Sequence, residues 1–118
     1  MRVRAFGPAS VLQLESVPVP VPGADEVRVR VHAVGVNPVD AYIRTGTHAV
    51  KPTLPYTPGR DAAGVIEAVG ADAARTHAVG QRVFTLGTVS GAYAEVAIVK
   101  AANAVPLSGK LDFAQGAW

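Results

Sequence analysis

The clearest pattern in the chain runs from Glu26 to Val36, where Val27, Val29 and Val31 alternate with Arg28, Arg30 and His32. Side chains on a strand point to opposite faces in turn, so this period of two predicts a strand with one buried and one polar face. Arg2 to Phe6 and Val11 to Val17 predict a shorter strand pair, divided by a turn at Gly7-Pro8-Ala9-Ser10. Apolar runs at Ala62 to Val69, Gln81 to Leu86, Ala92 to Val99 and Ala104 to Leu107 predict further strands, separated or bent by glycines at 59, 64, 70, 80, 87 and 91. Pro18, Pro20 and Pro22 punctuate the string VPVPVP. Proline has no N–H for a sheet ladder, so this stretch reads as an extended edge or linker. Many short strands set off by Gly and Pro predict a mainly β domain, a small irregular barrel with short helices.

One internal helix is legible. Asn37 can cap it, Pro38 suits its first position and Gly46 suits its stop. Asp40 falls in the first turn, four residues before Arg44, a spacing that predicts a surface ion pair. Residues 45–58 then form a polar, proline-containing loop of a length usually kept for function. Near the other end, Asp112 can cap a helix starting Phe113-Ala114-Gln115, barely one turn before Trp118 and too short to be stable alone.

Composition narrows the classes. A chain of 118 residues suits one domain with a single core. With 49% apolar residues and a net charge of +2 it is expected to be globular. Its basic residues form no run, so nucleic acid is not an expected partner. Cysteine is absent, which excludes disulfides and thiolate metal sites and fits a reducing cytoplasm. No apolar stretch follows Met1-Arg2-Val3-Arg4 and none is long enough to span a bilayer, so neither a secretory leader nor a membrane partner is expected. The histidines are His32, His48 and His77, on a polar strand face and in loops, with no pair at a helical i, i+4 spacing. A catalytic zinc needs three protein ligands, so no zinc is expected, and the histidines read as solvated or locally bonded.

Several strings then occur in order: GVNPVDAYIRTG from Gly35, LPYTPGRDAAGVIEAVG, GQRVF, GAYAEVAIV and LDFAQGA. Together they closely resemble the zeta-crystallin-like NADPH:quinone oxidoreductases of the medium-chain dehydrogenase/reductase superfamily, over Arg4 to Ala117. The resemblance implies a GroES-like domain of the alcohol dehydrogenase N-terminal type over residues 1–111, with 112–118 starting a helix that links to a Rossmann domain. It further implies hydride transfer from NADPH to a quinone or enone in a cleft between the two domains, and a homodimer for the full-length enzyme. The sequence has no Gly-x-Gly-x-x-Gly turn for a pyrophosphate, so most of the NADPH site is expected outside this chain, and the chain alone is expected to be inactive.

Site residues follow from the same match. Asn37 reads from sequence as a helix cap, and the resemblance places it in the active site, facing the nicotinamide or the substrate oxygen; both roles are compatible. Tyr42 reads as helix packing with its hydroxyl at the surface, and the resemblance implies contact with the nicotinamide end or donation to an oxygen gaining charge. Asp61 reads as bonding its own turn. Zinc-dependent relatives carry Cys where Asn37 stands and His-Glu where Arg60-Asp61 stands. Two other classes remain: a co-chaperonin-like ring module, suggested by architecture alone, and a non-catalytic fragment or pseudoenzyme that binds a partner protein.

Overall fold

The computed structural model describes residues 1–16, 18–46, 54, 56–109 and 111–117. Strand β3 (Glu26–Gly35) is the backbone of the molecule. It pairs antiparallel with β4 (Asp61–Val69) on one side and β6 (Val96–Lys100) on the other, and β5 (Arg82–Thr85) and β7 (Ala104–Pro106) continue the sheet in the order β6-β3-β4-β5-β7. The curled, open sheet is the irregular half-barrel of a mainly β domain. The alternation predicted for β3 holds: Val27 and Val29 are fully buried, Arg30 and His32 face out, and Val31 packs at the margin of the core. That core gathers Val27, Val29, Ile66, Val83, Ala97 and Val99.

The β3–β4 ladder shifts register twice. Glu67 is an extra residue on β4, between the pairs Arg28–Ala68 and Val29–Ile66, and His32 is an extra residue on β3, between Val31–Gly64 and Ala33–Ala63. Each bulge locally bends and twists its strand. His32 thereby stacks on Phe113, with ring centroids 4.4 Å apart.

Helix α1 (Pro38–Thr45) starts and stops where the sequence predicts. Asn37 is the extended residue before it, and Gly46 ends it at φ 79°, a left-handed conformation that favours glycine. Helix α2 (Phe113–Gly116) is capped by Asp112, whose Oδ1 accepts from the Gln115 N–H at 2.7 Å. So short a helix gains its stability from packing: Phe113 and Ala117 lie against Ala33, Ala63, Phe84 and Leu107 in a second apolar cluster.

Two expectations are corrected. The N-terminal pair shrinks to β1 (Arg2–Val3) and β2 (Leu12–Gln13), because Ala9–Val11 coils into a 3-10 turn and the Gly7 N–H bonds the Arg44 carbonyl at 2.9 Å instead of a strand; Val17 lies outside the described residues. The run from Ala92 becomes strand only at Val96, because the Ala92 and Tyr93 N–H groups go to the carbonyls of Gly59 and Pro58. Residues 18–22 join no ladder, in keeping with the linker reading; Val19 and Val21 are exposed, and the segment is held where Arg28 Nη1 donates to the Pro20 carbonyl at 3.0 Å.

Candidate functional site

Gly35 ends β3 opposite Asp61, the first residue of β4, so the residues that follow β3 and precede β4 share one end of the hairpin. A side chain at position 35 would run into the Ala117 carbonyl oxygen, so the chain can leave β3 here only through glycine. Two residues on, the Asn37 Nδ2 donates to Asp61 Oδ2 at 2.7 Å. A carboxylate only accepts hydrogen bonds, so this contact assigns the nitrogen end of the Asn37 amide to Asp61. Asn37, Pro38, Val39, Arg60, Asp61 and Leu86 line a shallow cleft of about 360 Å³.

Asp40 sits one turn into α1 and is buried, at 6% exposure. Its Oδ2 accepts from the Asn37 N–H and from the Tyr93 hydroxyl, each at 3.0 Å. The expected ion pair with Arg44 does not form: Arg44 Nε donates to the Gly7 carbonyl at 3.2 Å, and Asp40 turns inward. Burial, and then the hydrogen bond to Asp40, push the Tyr93 phenol up to about 12. Burial likewise raises the Tyr56 phenol. The Tyr56 hydroxyl and Asp40 Oδ1 are buried without a hydrogen-bond partner. Both residues border a second cleft of about 470 Å³, with Arg2, Arg60, Thr88 and Ser90 also on its walls. Arg60 therefore lines both clefts.

Of the residues expected in the site, Asn37 is brought together with Asp61 and Arg60, and an Asp61 expected to bond its own turn instead holds the helix entrance. Tyr42 is 57% exposed and borders neither cleft. Residues 47–53 and 55 of the predicted loop, with His48, lie outside the described residues, as does Trp118. His32 packs on Phe113, and His77 bonds the Thr76 hydroxyl and the Ala104 carbonyl. Among the described residues no His, Cys, Asp and Glu side chains gather in a group of three. Sequence reasoning missed Tyr93 and the inward role of Asp40, although Asn37-Pro-Val-Asp40 carries the spacing of a capping box, a signal that Asp40 turns back on the helix entrance.

Comparison with known proteins agrees with the fold. The chain is 54% identical to the quinone oxidoreductase of Homo sapiens over 118 residues, covering 99% of this chain and 36% of that protein. Its fold matches a quinone oxidoreductase from Pseudomonas syringae pv. tomato at a TM-score of 0.91 and 37% identity, covering 98% of this chain and 35% of that one. It also matches the Escherichia coli quinone oxidoreductase complexed with NADPH, at a TM-score of 0.88 and 33% identity over 98% of this chain and 35% of that one. The chain thus spans about a third of the length of these relatives. Residues 23–109 match the alcohol dehydrogenase GroES-like domain, and the chain belongs to that family.

Proposed function

We propose that this chain forms the substrate-side wall of a zinc-independent oxidoreductase that passes a hydride from NADPH to a quinone or conjugated carbonyl. The observation that carries this reading is the similarity to human quinone oxidoreductase across 99% of the chain. In it, residues 1–111 are the substrate-side domain and 112–118 begin the link to a nucleotide-binding half, within a cytoplasmic homodimer. The chain has no glycine-rich turn for a pyrophosphate, but Asn37 offers a carboxamide at a cleft and Tyr42 an exposed ring on the adjoining helix. These groups suit the nicotinamide end of the cofactor, which supplies the hydride when bound.

Asn37, fixed through both its backbone N–H and its side chain, orients what docks against it, and Tyr42 contributes the face of its ring. Reducing an isolated ketone leaves a localised alkoxide that calls for a Lewis acid or a strong proton donor. A reduced quinone or enone spreads its charge, and fixed hydrogen-bond donors with water suffice. A chain without cysteine, with Asn37 and Arg60 where zinc-dependent relatives carry metal ligands, fits the second chemistry.

The test is turnover of 9,10-phenanthrenequinone with NADPH by the full-length protein, measured beside thermal unfolding and zinc content. Asn37→Ala and Tyr42→Ala each lower kcat by about tenfold or more, since misplacement at the reacting centre is expensive. Asn37→Ala also lowers stability by about 1 kcal/mol as its cap is lost. Tyr42→Phe, which keeps the ring, retains most of the turnover. Normal turnover in both alanine variants would remove the active site from α1, and about one tightly bound zinc per chain would overturn the zinc-free reading.

A further inference from the structure

Hydrogen-bond polarity at the Asn37 cleft points to a residue that neither sequence motif nor comparison assigns. The Asn37 amide nitrogen is committed to Asp61 at 2.7 Å. An oxygen that gains negative charge beside the remaining N–H of that amide would also lie next to the Asp61 carboxylate, and like charges at that range repel. Asn37 is therefore poorly placed to stabilise an oxyanion.

Arg60 has the opposite character. It lines both clefts, is exposed, and its guanidinium makes no ion pair or hydrogen bond among the described residues. The carboxylates nearest in the fold are already engaged, Asp61 by Asn37 and Asp40 by Tyr93 and the Asn37 N–H. Arg2, on the wall of the larger cleft, adds positive charge on the same side. A guanidinium offers several N–H donors in a planar fork and keeps its charge at any working pH.

We propose that Arg60 is the residue of this cleft that recognises negative charge on the electron acceptor, so that the site favours quinones bearing an anionic substituent such as a sulfonate or carboxylate. The proposal rests on the quinone reductase reading above. In the reaction the quinone takes two electrons and one hydrogen as hydride from the reduced nicotinamide and one proton from solvent, giving the hydroquinone and the oxidised nicotinamide. Arg60 forms no covalent bond; it donates hydrogen bonds to the anionic group or to the oxygen that carries charge before that proton arrives.

The experiment compares 1,4-naphthoquinone with 1,4-naphthoquinone-2-sulfonate in the full-length protein, by kcat/KM with NADPH. It is paired with equilibrium binding of anthraquinone-2-sulfonate in the absence of NADPH, followed by tryptophan or ligand fluorescence. Wild type is expected to favour the sulfonate in kcat/KM relative to Arg60→Gln by about tenfold, the scale of one charged hydrogen bond. Binding of anthraquinone-2-sulfonate weakens by a similar factor in Arg60→Gln, Arg60→Lys restores part of both effects, and the loss for the neutral quinone is smaller than for the sulfonate. Turnover of both quinones with the same ratio in wild type and Arg60→Gln, and unchanged sulfonate binding, overturns the assignment of Arg60 and leaves the quinone reductase reading intact. Arg60-dependent sulfonate binding without turnover of either quinone does the reverse: it upholds the anion site and removes the activity.

Discussion

Val27, Val29, Ile66, Val83 and Val99 vanish from solvent inside the sheet, whereas α1 buries one residue, and that residue is Asp40. The sheet is held by removing apolar surface from water, an effect that depends on volume and hardly on direction. The corner where α1 meets β4 is held by directed contacts: Asn37 to Asp61, Asp40 to Tyr93 and Asp40 to the Asn37 N–H. Hydrogen bonds add modestly to stability but fix orientation, and a buried group deprived of its partner is costly. A functional side chain needs its direction set more than its depth, which suits Asn37 to the polar corner.

The contrast can be broken in order of effect. Ile66→Ala empties part of the sheet core and costs about 2–5 kcal/mol in urea unfolding, while the Asn37 side-chain amide resonance stays in place because its partners are untouched. Asp40→Ala strands the Tyr93 hydroxyl and the Asn37 N–H. It should cost about 1.5–3 kcal/mol, the range for hydrogen bonds to charged groups, and here the Asn37 resonance moves. A silent Asp40→Ala would show that the corner needs no anchor. Tyr93→Phe removes one hydroxyl and costs about 1 kcal/mol. It also changes the alkaline limb of stability. The Tyr93 phenol lies at about 12 in the folded protein against 10.0 unfolded, so its contribution is complete below pH 10 and is lost as pH rises toward 12. Ultraviolet titration should show that late-ionising tyrosine in wild type and not in Tyr93→Phe.

The same division decides what the sequence made legible. Periodicity along β3 marks which valines face the core, because burial on a strand is a local, alternating property. Asn37, Pro38 and Gly46 bound α1 from within a dozen residues, and Asp112 caps α2 by the same local logic. The partners of the corner are remote: Asp61 is 24 residues from Asn37, and Tyr93 is 53 from Asp40. Local spacing offers Asp40 a plausible neighbour in Arg44, and only the folded chain shows the half-buried Tyr93 phenol taking that place. Asn37 entered the site through its motif, and its orientation through geometry. The resemblance carried Tyr42 alone, and the domain in isolation leaves it on an open face.

The paired bulges of the β3–β4 hairpin carry a consequence for how the chain tolerates changes in length. One extra residue on β4 at Glu67 and one on β3 at His32 cancel, so the pairing that starts at Val27–Val69 arrives at Gly35–Asp61 without net slippage. Deleting either residue alone closes its bulge and leaves the flanking pairs in step, so Asp61 stays opposite Gly35 while one bend of the hairpin is lost. Deleting both would flatten the hairpin further and leave Asp61 with the same opposite number. The extra residues thus set the curvature of the hairpin, while the order of opposed pairs that delivers Asp61 to Gly35 does not depend on them.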